Sequence, residues 1–524
     1  MDENVVFDNK NGQSTDAAPP PDAPPADASA TPDAAATADP AAAPAETEAV
    51  AADPAGEATD ATDATETTTE ETESEEEPPP PPTGIAALFA SGKAKKILIG
   101  VVCFIILLIL IMIMIPKKPA VKNVELVWWG LWEDARVMRP IIADFEKANP
   151  NIKVKYTKQD PKKYRERLVT RIQNGTGPDI FRFHNSWYPM LSEVLLPLSS
   201  DVITPEEFKK TFYPVMEDDL IQNGAIYGIP LGADTLALFV NTEMFEKAGV
   251  APPTNWDEFN KAAKKLTIPE EDTGKIKIAG AALGTYNNIS HAPDIISLIF
   301  LQQGVNVKKF GASPKDEMDA LDFYTSFAKG QSDNVVWDST LDNSMLAFSR
   351  GNLAMYFGYS WDVFRVQSLN PDLKFKVYPV PALVNKSQSI ASYWVEGASS
   401  KSPNTKEALL FMQYLAKKET AQKFYTEVAK TRGFGEPYAR ADLADSLKDN
   451  PLAYPFVSQL KNASSTYFSG DTYDGEGGLN FLLNNYLGTA ITTSSEGNTS
   501  TQSVIDTLDQ GVAQTYEKFG LTQE

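Results

Sequence analysis

The 524 residues carry a formal net charge of −23 from 70 acidic and 47 basic side chains, with one cysteine and two histidines. The acidity is local: residues 1–82 hold 21 of the acidic groups against the single Lys10, leaving 46 basic and 49 acidic groups in the remainder. That near-neutral remainder excludes nucleic-acid or anionic-membrane binding driven by bulk charge, and the lone Cys103 excludes an intramolecular disulfide.

In chain order, residues 1–82 are built from Ala, Pro, Thr, Asp and Glu and lack the large apolar side chains needed to offset the entropy of ordering, which predicts a disordered tail. Residues 83–96 form a short juxtamembrane segment in which Ile85, Leu88 and Phe89 sit at helical spacing before Lys93, Lys95 and Lys96. Ile97–Ile115 contains no charge and no proline, and its 19 residues span about 28 Å as a helix, the thickness of a bilayer's hydrocarbon core. This predicts one transmembrane helix. Lysines flank it on both sides, so charge does not orient it, and the expected topology places the tail in the cytoplasm and the C-terminal part outside a bacterial cell membrane. Residues 116–123 form a linker.

From Val124 the pattern changes to that of an α/β domain. VELVWWG reads as a buried strand, ARVMRPIIADFEKA as an amphipathic helix stopped at Asn149 and Pro150, and IKVKYT as a second strand, a β-α-β unit that calls for a parallel sheet. A helix follows over 161–174, then a strand in GPDIFRF from Gly177 and a short helix from Tyr188. YGIPLGADTLALFVN from Tyr227 is a long strand-rich stretch, and WDEFNKAAKKLT from Trp256 is a helix. Further helices are expected over 293–303, 315–329, 342–350, 406–415 and 419–428.

Six segments in this order resemble one family. They are LVWWGLWED with FEKANPNIKV, GTGPDIFRFHNSW from Gly175, IYGIPLGADTLALFVNTEMFEKAGV from Ile226, PTNWDEFNKAAKKLT from Pro253, AFSRGNLAMYFGYSWD from Ala347, and YWVEGASSKSPNTKEALLFMQYL from Tyr393. Together they resemble the extracellular solute-binding proteins of ABC importers, of the maltose-binding type. The resemblance implies a two-lobed, periplasmic-binding-protein-like fold with discontinuous lobes, residues 124–236 plus 378–418 and residues 237–377 plus 419–524, and a ligand cleft between them. It also implies a sugar or oligosaccharide as ligand and an ABC permease as partner. An internal membrane anchor departs from the family, whose members are commonly secreted or lipid-attached.

Ligands of open parallel sheets bind beyond the carboxyl ends of the strands, which singles out Trp132, Glu133, Asn185, Trp187, Tyr286, Trp361, Asp362, Trp394 and Glu396, with Asp234 in the interlobe stretch. By resemblance, Asp234, Trp361 and Trp394 fall where the family places polar and stacking contacts. Aromatic rings pack on the CH face of a pyranose while carboxylates and amides bond its hydroxyls. Trp128 and Trp129, inside a strand, are expected to be core. His184 and His291 are too far apart in sequence to suggest a zinc site, SGDTYDGEGG from Ser469 lacks EF-hand spacing, and no nucleophile elbow, phosphate loop or dinucleotide fingerprint occurs. The expectation is a binding protein without catalytic residues, metal or cofactor. A tethered receptor that signals or scaffolds, or one for a non-sugar solute, is the alternative.

Overall fold

The computed structural model describes residues 92–114, 122–330, 332–383 and 387–521. The expected disordered tail 1–82, residues 83–91 of the juxtamembrane segment, Ile115 and residues 116–121 of the linker lie outside the described residues. The chain divides into two compact units at Met114 and Ile115.

The first unit contains the helix Gly92–Met114, which begins earlier than residue 97 because Lys93, Ala94, Lys95 and Lys96 are all good helix formers. Its large apolar side chains from Ile97 to Met112 are exposed, from 45% at Leu98 to 76% at Met112. Among the described residues no helix is long and apolar enough to cross a membrane. The helix is therefore found where the sequence puts it, but the crossing over 97–115 is not shown.

The second unit is built on two five-stranded sheets. In spatial order the first comprises Ile152–Lys158, Val124–Gly130, Ile180–His184, Trp394–Ala398 and Ile229–Pro230. Its first three strands are parallel, as the β-α-β pattern requires, and Trp394–Ala398 runs antiparallel to both its neighbours. The second comprises Phe375–Pro379, Ala237–Asn241, Leu353–Gly358, Ile276–Ala281 and Ile268–Pro269. A small third sheet pairs Asp234–Thr235 and Ala463–Ser464 with Ser389–Ser392.

Local sequence explains the main elements. Val124–Gly130 alternates buried and more exposed positions, so Trp128 is fully buried while its neighbour Trp129, on the other face, is partly buried with the Arg171 guanidinium 5.9 Å from its ring. The expected Trp128–Trp129 core pair is thus split by the pleat. The helix Ala135–Ala148 starts at Asp134, whose side chain accepts from the Arg136 N–H, and buries Val137, Met138, Ile141, Ile142 and Phe145 on one stripe. Phe145 and Trp128 both pack on Phe411, with ring centroids 4.8 and 5.3 Å apart; burying each such ring contributes about 1.5–3 kcal/mol. In the other sheet, Gly280 lets the helix Trp256–Leu266 lie directly on the strand Ile276–Ala281, because a Cβ there would come within 1.8 Å of the Ala263 carbonyl oxygen.

The stretch from Tyr227 contributes one short strand to each of the three sheets: Ile229–Pro230 to the first, Asp234–Thr235 to the small one and Ala237–Asn241 to the second. The chain returns through Phe375–Pro379, Ser389–Ser392 and Trp394–Ala398 in the opposite sense. Two placements differ from the sequence reading. Tyr378 and Pro379 pair with Leu238 and Ala237 in the second sheet, although the first lobe was expected to begin at 378. The helix Lys418–Ala429, expected with the second lobe from residue 419, docks on Ala135–Ala148: Lys423 Nζ donates to the Pro140 carbonyl at 2.8 Å and forms an ion pair with Asp144. Apolar periodicity marks the buried face of a helix but not which sheet it covers.

Candidate functional site

The first sheet, the crossing segments, the helix Ser360–Leu369 and later loops line a cavity of about 180 Å³. Of the ten residues singled out in the sequence, Trp132, Glu133, Asp234, Trp361 and Trp394 line it.

On the first-lobe side, Trp132 and Glu133 follow directly from the strand Val124–Gly130. The Trp132 ring meets Trp394 edge-on at 5.3 Å, and Trp394 is in turn braced by Trp187 at 5.4 Å and His184 at 5.1 Å. Burial pushes the His184 imidazole down to about 3, so it is neutral, and it is held between the Ser186 and Ser392 hydroxyls at 2.7 and 3.0 Å. Trp187 is fully buried, and its place is behind Trp394 rather than in the cavity. Asn185 is also behind the wall, tying Tyr393 to Asp219: it accepts from the Tyr393 N–H at 3.2 Å and donates to Asp219 at 2.9 Å.

Arg182, which the sequence reading did not single out, sits between two carboxylates beside these rings. Its Nε donates to Glu396 at 2.6 Å and its other arm pairs with Glu133, and all three side chains are 5% exposed or less. Glu396 takes a further 2.7 Å bond from the Trp128 indole. Burial opposes the Arg182 charge, yet Glu133 and Glu396 hold its pKa above the usual arginine value. Burial also raises the Glu396 carboxyl, against the pull of Arg182. Glu396 was expected as a ligand contact; with both oxygens engaged beneath the wall, it positions Arg182 instead. A signal was available: Arg182 in IFRFH and Glu396 in WVEGA are lone charges in apolar strands, and the register sets them directly opposite each other.

The opposite wall comes from the second lobe. Trp361, the second residue of the helix Ser360–Leu369, lies flat on Tyr359 with centroids 4.5 Å apart and planes 16° apart. Asp362 points the other way and is fully buried, accepting from the Tyr359 N–H at 3.1 Å, the Tyr356 hydroxyl at 3.0 Å and His291 Nε2 at 2.7 Å. It is a structural acceptor at the start of the helix, not a cavity residue. Tyr286 lines a neighbouring depression together with His291 and packs against the helix Leu479–Glu496 at Gly488.

The floor is the crossing segment Leu231–Asp234, and later parts of the chain complete the cavity: Arg365, Arg432 with Glu436, and Asp471 with Tyr473. Arg432 pairs with Glu436 and stacks on Phe364 at 4.9 Å. Arg432, Glu436, Asp471 and Tyr473 follow no strand of a parallel sheet, so a search of strand ends does not reach them, and Arg365 lies a turn past Trp361 on the same helix.

Comparison with known proteins agrees with this architecture. Residues 140–455 match the model of the bacterial extracellular solute-binding proteins. A relative from Streptococcus mutans, named a multiple sugar-binding protein, is 23% identical over 371 residues, which is 64% of this chain and 82% of that one. Among solved structures, a solute-binding protein of an ABC transporter from Thermotoga lettingae, bound to alpha-D-tagatose, superposes with a TM-score of 0.56 at 22% identity over 75% of this chain and 99% of that one. The sugar-binding protein MalE of Xanthomonas citri does so with a TM-score of 0.60 at 20% identity, over 75% and 98%. These share the two-domain, periplasmic-binding-protein-like α/β fold.

Proposed function

The chain belongs to the bacterial extracellular solute-binding proteins, and from that premise we propose that it captures a neutral carbohydrate between its lobes and presents it to an ABC importer. The observation that carries this reading is the meeting of Trp132, Trp361 and Trp394 with the ion pairs Arg182–Glu133 and Arg432–Glu436 in one cavity. Flat aromatic faces suit the CH face of a pyranose, and fixed carboxylates and guanidiniums suit its hydroxyls. Three guanidiniums, Arg182, Arg365 and Arg432, stand against four carboxylates, Glu133, Asp234, Glu436 and Asp471. Such a balance favours an uncharged ligand over a phosphate ester or a polyamine. The name of the Streptococcus mutans relative and the tagatose held by the Thermotoga lettingae protein point the same way.

A ligand that touches both walls stabilises only the conformation in which both are near, so sugar shifts the lobes towards closure and the permease recognises the closed form. The proposal includes a membrane tether over 97–115, with the acidic tail inside the cell and the two-lobed unit outside. Its support is a helix whose apolar side chains from Ile97 to Met112 are exposed all round, a surface that water does not favour.

Calorimetry on the full-length chain in mild detergent, against mono- and oligosaccharides with amino acids and polyamines as controls, tests the binding. Saturable heat with one sugar class supports the reading, and binding confined to the controls overturns it. Protease added to intact cells tests the tether: the expected result is loss of the two-lobed unit and survival of the tail, and the reverse pattern inverts the topology.

A further inference from the structure

The segment Ser469–Gly478 is fastened to the second lobe and reaches across to the first. Its Gly470 N–H donates to the buried Asp294 at 3.0 Å, and Asn484 of the helix Leu479–Glu496 donates to the Ser469 carbonyl at 2.8 Å. The Asp474 carboxylate accepts from the Asn480 N–H at 2.7 Å, holding the end of the segment to the start of that helix. From the first lobe, Arg165 Nε donates to the Asp474 carbonyl at 2.6 Å, and the Ser186 hydroxyl donates to Asn480 at 2.9 Å.

Between these fastenings the backbone is bent unusually. Asp471 and Tyr473 have φ of 52° and 56°, a left-handed conformation that side-chain-bearing residues adopt at a cost and keep only where the surroundings impose it. The bends set both side chains on the cavity wall. Asp471 lies 3.4 Å from His291 Nδ1, and the Tyr473 ring, 43% exposed, stands 5.5 Å from Trp132 at an interplanar angle of 54°. One ring comes from each lobe, so separating the lobes separates the rings.

Building on the carbohydrate reading above, we propose that Ser469–Gly478 is a strap that closes the cleft over bound sugar. Tyr473 contacts the ligand alongside Trp132, and the Arg165–Asp474 hydrogen bond is the clasp of the closed form. Tyr473 supplies a ring face that the ligand gains only on closure, so it governs affinity and discriminates among sugars by the shape of the pyranose face presented to it. Arg165 does not line the cavity. Its hydrogen bond exists only when the lobes are together, so it acts on the lifetime of the complex.

The test uses the full-length chain in mild detergent, calorimetry with the best sugar of the panel, and stopped-flow intrinsic tryptophan fluorescence for rates. Tyr473→Ala is expected to weaken binding at least tenfold, and Tyr473→Phe, which keeps the ring, to remain within threefold of wild type. Arg165→Ala is expected to speed dissociation about fivefold while association stays within twofold. Circular dichroism melting identifies a variant that fails to fold, in which case Tyr473→Phe and Arg165→Ala still decide. Wild-type affinity in Tyr473→Ala overturns the ligand contact, and an unchanged dissociation rate in Arg165→Ala overturns the clasp, both while leaving the carbohydrate reading intact. A wild-type chain that binds no sugar overturns that reading and the strap's ligand with it.

Discussion

The Asp234 carboxylate accepts a 2.8 Å hydrogen bond from the backbone N–H of Ser360, joining the crossing segment to the first residue of the helix that carries Trp361. Its other oxygen takes the Thr235 N–H at 2.9 Å. Asp234 is 3% exposed, and burial raises its carboxyl well above the usual range. Although it lines the cavity, its geometry is that of a brace that sets Trp361 relative to the hinge. Replacing it by Ala leaves an N-terminal helix N–H without its acceptor, which should cost about 1–2 kcal/mol of stability. Asp234→Asn keeps an acceptor oxygen and should lose less. Denaturant unfolding ranks the two variants; equal losses would show that an acceptor at this place does not matter.

Arg182 pairs with both Glu133 and Glu396 in the first-lobe wall, and all three are buried. Arg182→Met should leave two buried carboxylates unpaired and cost about 3–5 kcal/mol. A compensating triple change, with Glu133→Gln and Glu396→Gln added, should recover most of that loss. Urea midpoints for the two variants provide the measurement. A triple variant no more stable than Arg182→Met would mean that the loss comes from packing and not from unpaired charge.

The fold was legible because its signals are local. The β-α-β start, the helix Ala135–Ala148 and the strand-rich stretch from Tyr227 all announce themselves by periodicity and by polar stops. The site was legible where it follows a strand, at Trp132 and Glu133, and where a helix begins at a strand end, at Trp361. It was hidden where position depends on long-range packing. Trp361 and Asp362 are neighbours in sequence, yet one ring faces the cavity while the next side chain is buried on His291, a distinction set by the first turn of one helix. Tyr473 and Asp471 lie in SGDTYDGEGG, a stretch whose sequence shows only that EF-hand spacing is lacking. Their place in the cavity follows from left-handed backbone and from Asp294, which is 176 residues from Gly470 along the chain.

Trp361 and Trp394 differ in how they are supported. Trp361 lies flat on Tyr359 with His291 edge-on at 6.2 Å, whereas Trp394 is wedged edge-on among Trp132, Trp187 and His184. Each ring presented to a sugar should contribute about 1 kcal/mol or more, so either Ala variant should weaken binding roughly fivefold or more. Trp394→Ala should also lower stability, because three neighbouring rings lose a partner; Trp361→Ala should do so less. Calorimetry paired with thermal melting separates the two effects. Unfolding of both variants would assign these rings to the core and remove them from the site.

His291 sets an alkaline limit on the second lobe. Burial works against its charge, but Asp362, then Asp471 and Asp294, carry its pKa up to about 9. The folded pKa thus exceeds the unfolded value of about 6.5, so the folded state binds more protons across the interval between them, and stability falls as pH rises. The contribution is fully present below about pH 6.5 and is lost as pH passes 9. At its largest it amounts to about 3 kcal/mol, from 1.36 kcal/mol per pH unit. Urea unfolding of the wild type should therefore show a declining limb between about pH 6.5 and 9, and His291→Gln should flatten it while lowering stability at pH 6. The limb belongs to other groups if it survives unchanged in that variant. Because Asp471 belongs to the segment bearing Tyr473, loss of the His291 charge should also weaken ligand binding above pH 9, measurable by repeating the titration at pH 7 and pH 9.5.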